Sequence, residues 1–244
     1  MSRSLSRIRL CAALPLALAG CLVTSISASA DATGNATPAV AGGKATTVAW
    51  AVDGLAPPVS GRIPRSLVVT APGFRLDRRA VAKRCRELQA KLNECPRKSK
   101  IGTGTLTIIV HRPDRVNEVE FRIVLYYGKD TKILAVTDFI GIRVVPGRLT
   151  ESGGVRLTFN PLPTPPEIPG VAITYEFKGV SARLGATRKV IRRVGPRRLR
   201  RTFRYSLVRT PKACDGGSWA AAATLGFPDA TSLRLPAPMA CTRR

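Results

Sequence analysis

The sequence predicts a mainly-β protein: a single antiparallel β-sandwich domain, or a partly open barrel, with one short helix on its N-terminal side. Three observations favour this class. Apolar and polar residues alternate in many short runs, with the period of a half-buried strand. Glycine, proline, asparagine and aspartate separate these runs at short intervals, as turns do. Only one stretch, 77–93, has apolar residues at a convincing helical spacing.

The clearest strand is 118–127, in which apolar residues alternate with charged and small ones. Its apolar face carries Val119, Phe121, Ile123, Leu125 and Tyr127. Further strands are expected at 46–55, 66–71, 105–110, 132–140, 142–145, 155–159, 171–177, 203–207 and 219–227. The proline-rich segment 160–170 is interpreted as a stiff loop, and a polyproline-II ligand is the alternative.

The helix is expected over Asp77 to Asn93. Asp77 suits an N-cap, and Val81, Leu88 and Leu92 recur near helical spacing. Cys85 then lies in the middle of the helix. The other faces are basic, which is typical of a solvated helix surface and also compatible with a polyanion partner.

The first thirty residues predict a secretory signal. An arginine-containing start precedes the apolar run 10–20, which is too short to span a bilayer. Two processing sites compete: lipidation at Cys21 within Leu-Ala-Gly-Cys, and cleavage after Ala30 within Ala-Ser-Ala. Cleavage after Ala30 is favoured, because apolar residues continue after Cys21. The protein is therefore expected to be exported, either secreted or associated with the cell envelope, and no later transmembrane helix is predicted.

The organisation predicted after the signal is a flexible leader, 31–45, followed by one domain, 46–244. The leader is rich in alanine, glycine, threonine and proline and shows no periodicity. Neither a repeat of fixed length nor a second linker is visible in the rest of the chain.

The cysteines that follow the signal predict two disulfides, since an exported chain meets oxidising conditions. Four cysteines allow three connectivities, and the sequential one is preferred. It joins Cys85 to Cys95 and Cys214 to Cys241. A zinc site is disfavoured, because the chain has no Cys-x-x-Cys pair.

Charge gives the strongest functional signal. The chain has 40 Lys and Arg against 15 Asp and Glu, for a net charge of +25. The cationic side chains concentrate in one run, at Arg188, Lys189, Arg192, Arg193, Arg197, Arg198, Arg200, Arg201 and Arg204. Gly195-Pro196 indicates a turn, so the run is interpreted as a basic hairpin tip or long loop.

The expected partner of this run is an anionic cell-wall polymer or lipid headgroups, because arginine forks bind phosphate and carboxylate. Extracellular nucleic acid is an alternative, and a solvated loop without a partner is another. Export argues against intracellular nucleic acid. The nearby aromatic residues, Phe203 and Tyr205, look core-facing instead of available for base stacking.

Catalytic signatures are weak, so a non-catalytic protein without cofactor or metal is predicted. The one histidine, His111, stands in an Arg-Pro-Asp turn and is expected to be solvated. Glu118 and Glu120 share a strand face beside Arg122, which indicates surface ion pairing. Asp138 is a candidate acid only because apolar residues surround it. A secreted enzyme acting on envelope glycans remains the alternative.

Two groups of residues resemble a known group of proteins. The first comprises Ile63, Pro64, Leu67, Cys85, Cys95, Pro96, Ser99, Ile101, Gly102 and Gly104. The second comprises Thr210, Pro211, Cys214, Trp219, Phe227, Asp229, Thr231 and Cys241. Together they resemble uncharacterised secreted proteins of soil actinobacteria. The resemblance implies a signal peptide, disulfides and a β-rich fold, and it implies no activity.

Overall fold

The computed structural model describes residues 30–54, 63–138, 142–150, 154–158, 173–195 and 199–243. The first strands are β1 Asp31–Thr37, β2 Ala45–Asp53, β3 Ser66–Thr70, β4 Arg75–Leu76, β5 Lys100–His111, β6 Val116–Tyr127, β7 Lys132–Asp138, β8 Ile142–Leu149 and β9 Val155–Thr158. The later strands are β10 Thr174–Leu184, β11 Thr187–Val194, β12 Leu199–Ser206, β13 Val208–Arg209, β14 Ser218–Trp219, β15 Ala222–Gly226, β16 Ser232–Pro236 and β17 Met239–Ala240. Helix α1 spans Glu87–Lys91, and 3₁₀ turns span Arg78–Ala80 and Arg97–Ser99.

Thirteen of these strands form one sheet, in which every ladder is antiparallel. Its main path is β16-β15-β3-β9-β8-β7-β6-β5-β10-β2, and β2 also pairs with β1 and β13. The long strands β5 and β6 form its centre, with Ile108 opposite Val119. The prediction of a mainly-β antiparallel fold with one short helix is confirmed.

The sheet curls around a single core. Leu225 on β15, Ile133 on β7 and Trp50 on β2 all belong to one buried cluster, although their strands are far apart along the sheet path. One face of one sheet can enclose a common core only if the sheet bends back on itself. The architecture is therefore a curled sheet and not two separate sheets packed face to face.

The two sides of the curled sheet meet at a seam, which we define as residues 31–41 against residues 237–242. A Cβ atom built on Gly34 of β1 would lie 2.7 Å from the carbonyl oxygen of Ala237. Thr242 and Ala39 are joined by a backbone hydrogen bond of 2.8 Å. In the described chain no ladder links β1 to β16, so the sheet does not close into a barrel.

The predicted flexible leader is wrong. Residues 31–37 form β1, which pairs with β2 from Asp31 opposite Asp53 to Thr37 opposite Thr47. Ala36 is only 2% exposed. The small side chains of this segment explain why the strand was not predicted, because they show no recognisable alternation of hydrophobicity. They also allow the strand to approach the chain across the seam closely.

The predicted helix over Asp77 to Asn93 is also wrong in most of its length. Asp77 does cap a helical turn, but that turn is the 3₁₀ turn Arg78–Ala80, and residues 81–86 are non-helical before α1 begins. The N–H of Cys85 donates a 2.8 Å hydrogen bond to the carbonyl of Tyr127, which holds this segment against the end of β6. Leu88 and Leu92, whose spacing suggested the helix, are 69% and 56% exposed.

A small second cluster covers the outer face of the sheet beneath α1. Cys85 and Ala90 pack there against Leu134 and Val136 of β7, so β7 is buried on both faces. The cysteines form the sequential disulfides Cys85–Cys95 and Cys214–Cys241. The first disulfide ties the 81–95 segment over β7, and the second lies in the main core.

The Gly-Thr-Gly step of the sequence marks a close approach of strands β5 and β10. A Cβ atom at Gly104 would lie 2.1 Å from the carbonyl oxygen of Ser181, and one at Gly102 would lie 2.3 Å from that of Arg183. No side chain fits at either place without moving a backbone. The step lies within β5, which begins at Lys100.

Candidate polyanion-binding hairpin

The basic run forms a two-stranded antiparallel hairpin, β11–β12, that is a separate sheet. Its register runs from Thr187 opposite Ser206 to Val194 opposite Leu199. The cationic residues therefore extend along both strands instead of being confined to a tip or loop. Arg197 and Arg198 lie outside the described residues, as does Cys21.

The register places cations directly opposite cations. Lys189 faces Arg204, Arg192 faces Arg201, and Arg193 faces Arg200. Opposed residues of an antiparallel pair lie on the same face, and directly opposed like charges destabilise a hairpin. The hairpin thus carries cationic pairs on both of its faces.

Among the residues that the structure describes, no acid pairs with this charge. The sequence contains no Asp or Glu between Glu176 and Asp215. Within the described part of the hairpin, no Arg or Lys nitrogen lies within 4.0 Å of a described carboxylate oxygen. Lys189, Arg192, Arg193, Arg200, Arg201 and Arg204 are all exposed. An anionic ligand would relieve this repulsion without displacing an internal partner.

Apolar residues alternate with the cations. Ile191 is 67% exposed and Val194 is 39% exposed. Val190 and Phe203, which face each other near the base, are partly buried against the main core. Tyr205 is only 9% exposed, so the prediction that Phe203 and Tyr205 face the core is confirmed.

The base of the hairpin packs on the 3₁₀ turn Arg78–Ala80. The guanidinium carbon of Arg79 lies 4.8 Å from the ring centroid of Tyr205, a cation–π distance. Asp77 accepts hydrogen bonds from Arg79 Nε at 2.8 Å and Nη2 at 2.9 Å. Arg209 Nη2 lies 3.7 Å from the same carboxylate. Asp77 therefore holds the arginine that covers the hairpin base.

These contacts fix the ionisation of Asp77. The side-chain hydrogen bond from Arg79 is the largest influence, and it lowers the pKa of Asp77 below its ordinary value of 3.8, against the opposing effect of burial. The same hydrogen bond raises the pKa of Arg79. A lowered pKa in the folded state means that Asp77 stabilises the fold above the pKa of the unfolded chain, and that this stabilisation is lost as the pH falls through the folded-state pKa.

We expect Asp77→Asn to lower the free energy of unfolding at neutral pH by about 1.5 kcal/mol, the usual contribution of a hydrogen bond to a charged group. The difference from the wild type should narrow as the pH falls below 3.8, the ordinary pKa of this carboxyl, and through the lower pKa that Asp77 has in the folded state. Urea denaturation of both proteins at neutral pH and at a series of acidic pH values measures this. An equal deficit at every pH would contradict a role for the Asp77 charge.

The other predicted candidates do not assemble into a catalytic centre in the described chain. His111 was predicted to be solvated, but its Nε2 lies 3.0 Å from Oε2 of Glu176 on the neighbouring strand. Glu118 forms a surface ion pair, as expected, but its partner is Lys178 instead of Arg122. The hydrogen bond from Lys178 to Glu118 raises the pKa of Lys178. Asp138 is exposed at the end of β7.

Metal-binding groups and membrane helices are also absent from the described ranges. No cluster of three or more His, Cys, Asp or Glu residues there is arranged to hold a metal ion. No described helix is both long and apolar enough to cross a membrane. The proline-rich segment 160–170 lies outside the described residues.

Comparisons with known proteins give little further information. No family model matches the chain, and no curated protein matches it. Among solved structures, the chain is similar to AvmM, which catalyses macrocyclization in alchivemycin A biosynthesis, with 10% identity and a TM-score of 0.25. That comparison covers 88% of this chain and 90% of the other. A similarity this low carries no argument about function.

Proposed function

We propose that this is an exported, non-catalytic protein of the cell envelope that binds an anionic envelope polymer through the β11–β12 hairpin. The observation that carries the proposal is the set of opposed, exposed cationic pairs on both hairpin faces, with no described carboxylate to neutralise them. Such an arrangement costs folding stability when no ligand is bound. A polyanion that contacts several pairs recovers this stability on binding.

The geometry of the hairpin suits a linear ligand with repeated charges. Residues two apart on one strand lie on the same face, about 7 Å apart. The pair Arg193–Arg200 shares its face of the hairpin with the pair Lys189–Arg204, which lies four residues closer to the base. The cationic pairs on that face therefore lie about 13 Å apart, with Ile191 and Thr202 between them. A flexible polymer reaches both pairs more readily than a compact ion does.

Two features support export. Disulfides such as Cys214–Cys241 are typical of chains that fold in an oxidising compartment. Strand β1 begins at Asp31, the first residue after the predicted cleavage at Ala30. Cleavage there would leave the strand intact, whereas lipidation at Cys21 would leave a short tether in front of it.

We expect the wild-type protein to co-sediment with purified cell envelopes at low salt and to be released at high salt, because counterion release dominates binding to polyanions. The hairpin variant carries Arg192→Gln, Arg193→Gln, Arg200→Gln and Arg201→Gln. It should bind at least about tenfold more weakly, since it loses four charge-assisted contacts.

A charge-matched control separates a specific hairpin from general positive charge. It carries Arg112→Gln, Arg115→Gln, Arg156→Gln and Arg234→Gln, all at exposed positions outside the hairpin. We expect its affinity to stay within about threefold of the wild type. Equal weakening of both variants would refute the hairpin as the site. Competition by duplex DNA would favour a nucleic-acid partner, and competition by anionic lipid vesicles would favour headgroups; either result would contradict the polymer proposal.

A further inference from the structure

A second basic surface lies outside the hairpin and is concave. A groove of about 750 Å³ separates the segment 81–87 from the turn between β6 and β7. Cationic residues from both sides line it: Arg78, Lys83, Arg84, Arg86, Lys129 and Lys132. Its volume is in the range of sites that enclose small molecules.

Both walls of the groove are fixed by structure already described. On one side, the Cys85–Cys95 disulfide and the hydrogen bond from Cys85 N–H to the Tyr127 carbonyl hold the segment in place. On the other side, the N–H of Gly128 donates to the Lys132 carbonyl at 2.8 Å, which closes the turn. Tyr127 and Leu134 are buried and also line the groove. The cations are therefore presented by a rigid backbone.

The charge inside the groove is poorly balanced. Two acids line it, Glu87 and Asp130. Glu87 pairs with Lys91 at 3.0 Å, and Asp130 lies 3.9 Å from Lys129. No described carboxylate lies within 4.0 Å of the side-chain nitrogens of the remaining lining cations, which are Arg78, Lys83, Arg84, Arg86 and Lys132.

The shape of this site distinguishes it from the hairpin. Cations around a concave surface with a low-dielectric floor focus the potential at one place, and they can contact a small ligand from several sides. The hairpin instead spreads its cations along an extended ribbon. Arginine forks together with lysine point charges are the usual protein groups for phosphate.

We propose that this groove binds a compact ligand that carries two or more phosphate groups, such as a phosphorylated sugar or polyol. The ligand is either a free small molecule or the last repeats at the end of a phosphate-containing envelope polymer; the recognising chemistry is the same. The groove does not depend on the hairpin for any lining residue, so this inference stands or falls separately from the proposed function.

The probe that tests the groove is inorganic tripolyphosphate, titrated into the purified protein by calorimetry at low salt. The groove variant carries Lys83→Gln, Arg84→Gln and Lys132→Gln. A conservative counterpart carries Lys83→Arg and Lys132→Arg, which keep the charge. We expect the groove variant to bind at least about tenfold more weakly and the conservative variant to stay within about threefold of the wild type.

Two controls remove the same number of charges elsewhere. The hairpin control carries Arg192→Gln, Arg193→Gln and Arg201→Gln. The remote control carries Arg112→Gln, Arg156→Gln and Arg234→Gln. Both should retain tripolyphosphate affinity within about threefold, and all variants should unfold at similar denaturant concentrations. Absence of binding by the wild type, or equal weakening by the groove variant and either control, would overturn the proposal.

A competition arm identifies the source of the ligand once tripolyphosphate binding is lost only in the groove variant. Displacement of tripolyphosphate by a purified polyol-phosphate polymer, in the hairpin control as well as in the wild type, would support the last repeats of a polymer. Displacement by a soluble sugar bisphosphate alone would support a free small molecule. If neither displaces the probe, the phosphorylated-polyol ligand class is overturned.

Discussion

Replacing Trp219 by alanine is expected to lower the free energy of unfolding by about 3–5 kcal/mol, the usual cost of deleting a large buried aromatic side chain. Trp219 is 5% exposed and packs edge-on against Phe74, with ring centroids 5.2 Å apart. Its indole N–H donates a 2.7 Å hydrogen bond to the Ala213 carbonyl. Alanine would lose the packing and this hydrogen bond together, and the surrounding strands cannot fully fill the space.

The matched control is Trp219→Phe, which keeps most of the apolar surface and removes the donor. Because the Ala213 residue is exposed, water can satisfy its carbonyl, and the loss should be only about 1–2 kcal/mol. Chemical denaturation with comparison of m-values measures both variants. If the two substitutions destabilise the protein equally, packing against Phe74 is not the main contribution of Trp219.

Removing the disulfide Cys214–Cys241 is expected to lower the free energy of unfolding by about 3.5 kcal/mol, from the chain entropy of its loop. The sequence separation is 27 residues for this disulfide and 10 for Cys85–Cys95. Loss of the shorter one should therefore cost less, about 2.7 kcal/mol on the same basis. The cysteines of the longer loop are 3% and 8% exposed, so alanine is the suitable replacement.

The test uses two double variants. One carries Cys214→Ala together with Cys241→Ala, and the other carries Cys85→Ala together with Cys95→Ala. Denaturation under oxidising conditions gives the cost of each disulfide, and wild type measured with reductant gives both together. The two double variants should also differ in their binding of tripolyphosphate to the groove. Loss of Cys85–Cys95 should weaken tripolyphosphate binding, whereas loss of Cys214–Cys241 should not. The reverse order of stabilities would show that loop entropy does not control these disulfides.

Much of the fold was predictable because the long strands carry a regular chemical pattern. In β6 the alternation from Val119 to Tyr127 placed the apolar face correctly, with Ile123 and Leu125 in the core. A hairpin turn could be anticipated from the basic run and its Gly195-Pro196 step, although not that the cationic residues extend along both strands. Such patterns are local, so they can be recognised without knowledge of the neighbouring strands.

The errors occurred where tertiary contacts override local pattern. Strand β1 consists of small and polar residues, and its place depends on the register with β2 and on the seam, neither of which has a signal in residues 31–37. The segment around Cys85 has helical spacing, but its backbone is held in a non-helical form by Tyr127. Contacts between distant parts of a chain are not encoded in short windows of sequence.

One of the two candidate sites could be predicted from a local pattern in the sequence, and the other depends on tertiary contacts. The cations of the hairpin are adjacent in sequence and were therefore visible as a charge run. The groove was not, because Lys83 and Arg84 come from one segment and Lys132 comes from β7. Neither Lys83 with Arg84 nor Lys132 is conspicuous in a chain that has 40 Lys and Arg residues. Only the packing of the 81–95 segment over β7 brings them to opposite walls of one concave surface.

The seam has a consequence for the order in which the protein folds. Its two sides are far apart in sequence, with Thr242 separated from Ala39 by 203 residues. When the chain is synthesised from its N-terminus, β1 appears long before the segment 237–242 and Cys241. Gly34 therefore stays uncovered by Ala237 until that distant segment has been made. A chain truncated before the segment 237–242 would leave this surface open to aggregation or to a protease, so the seam forms only in a chain that includes both of its sides.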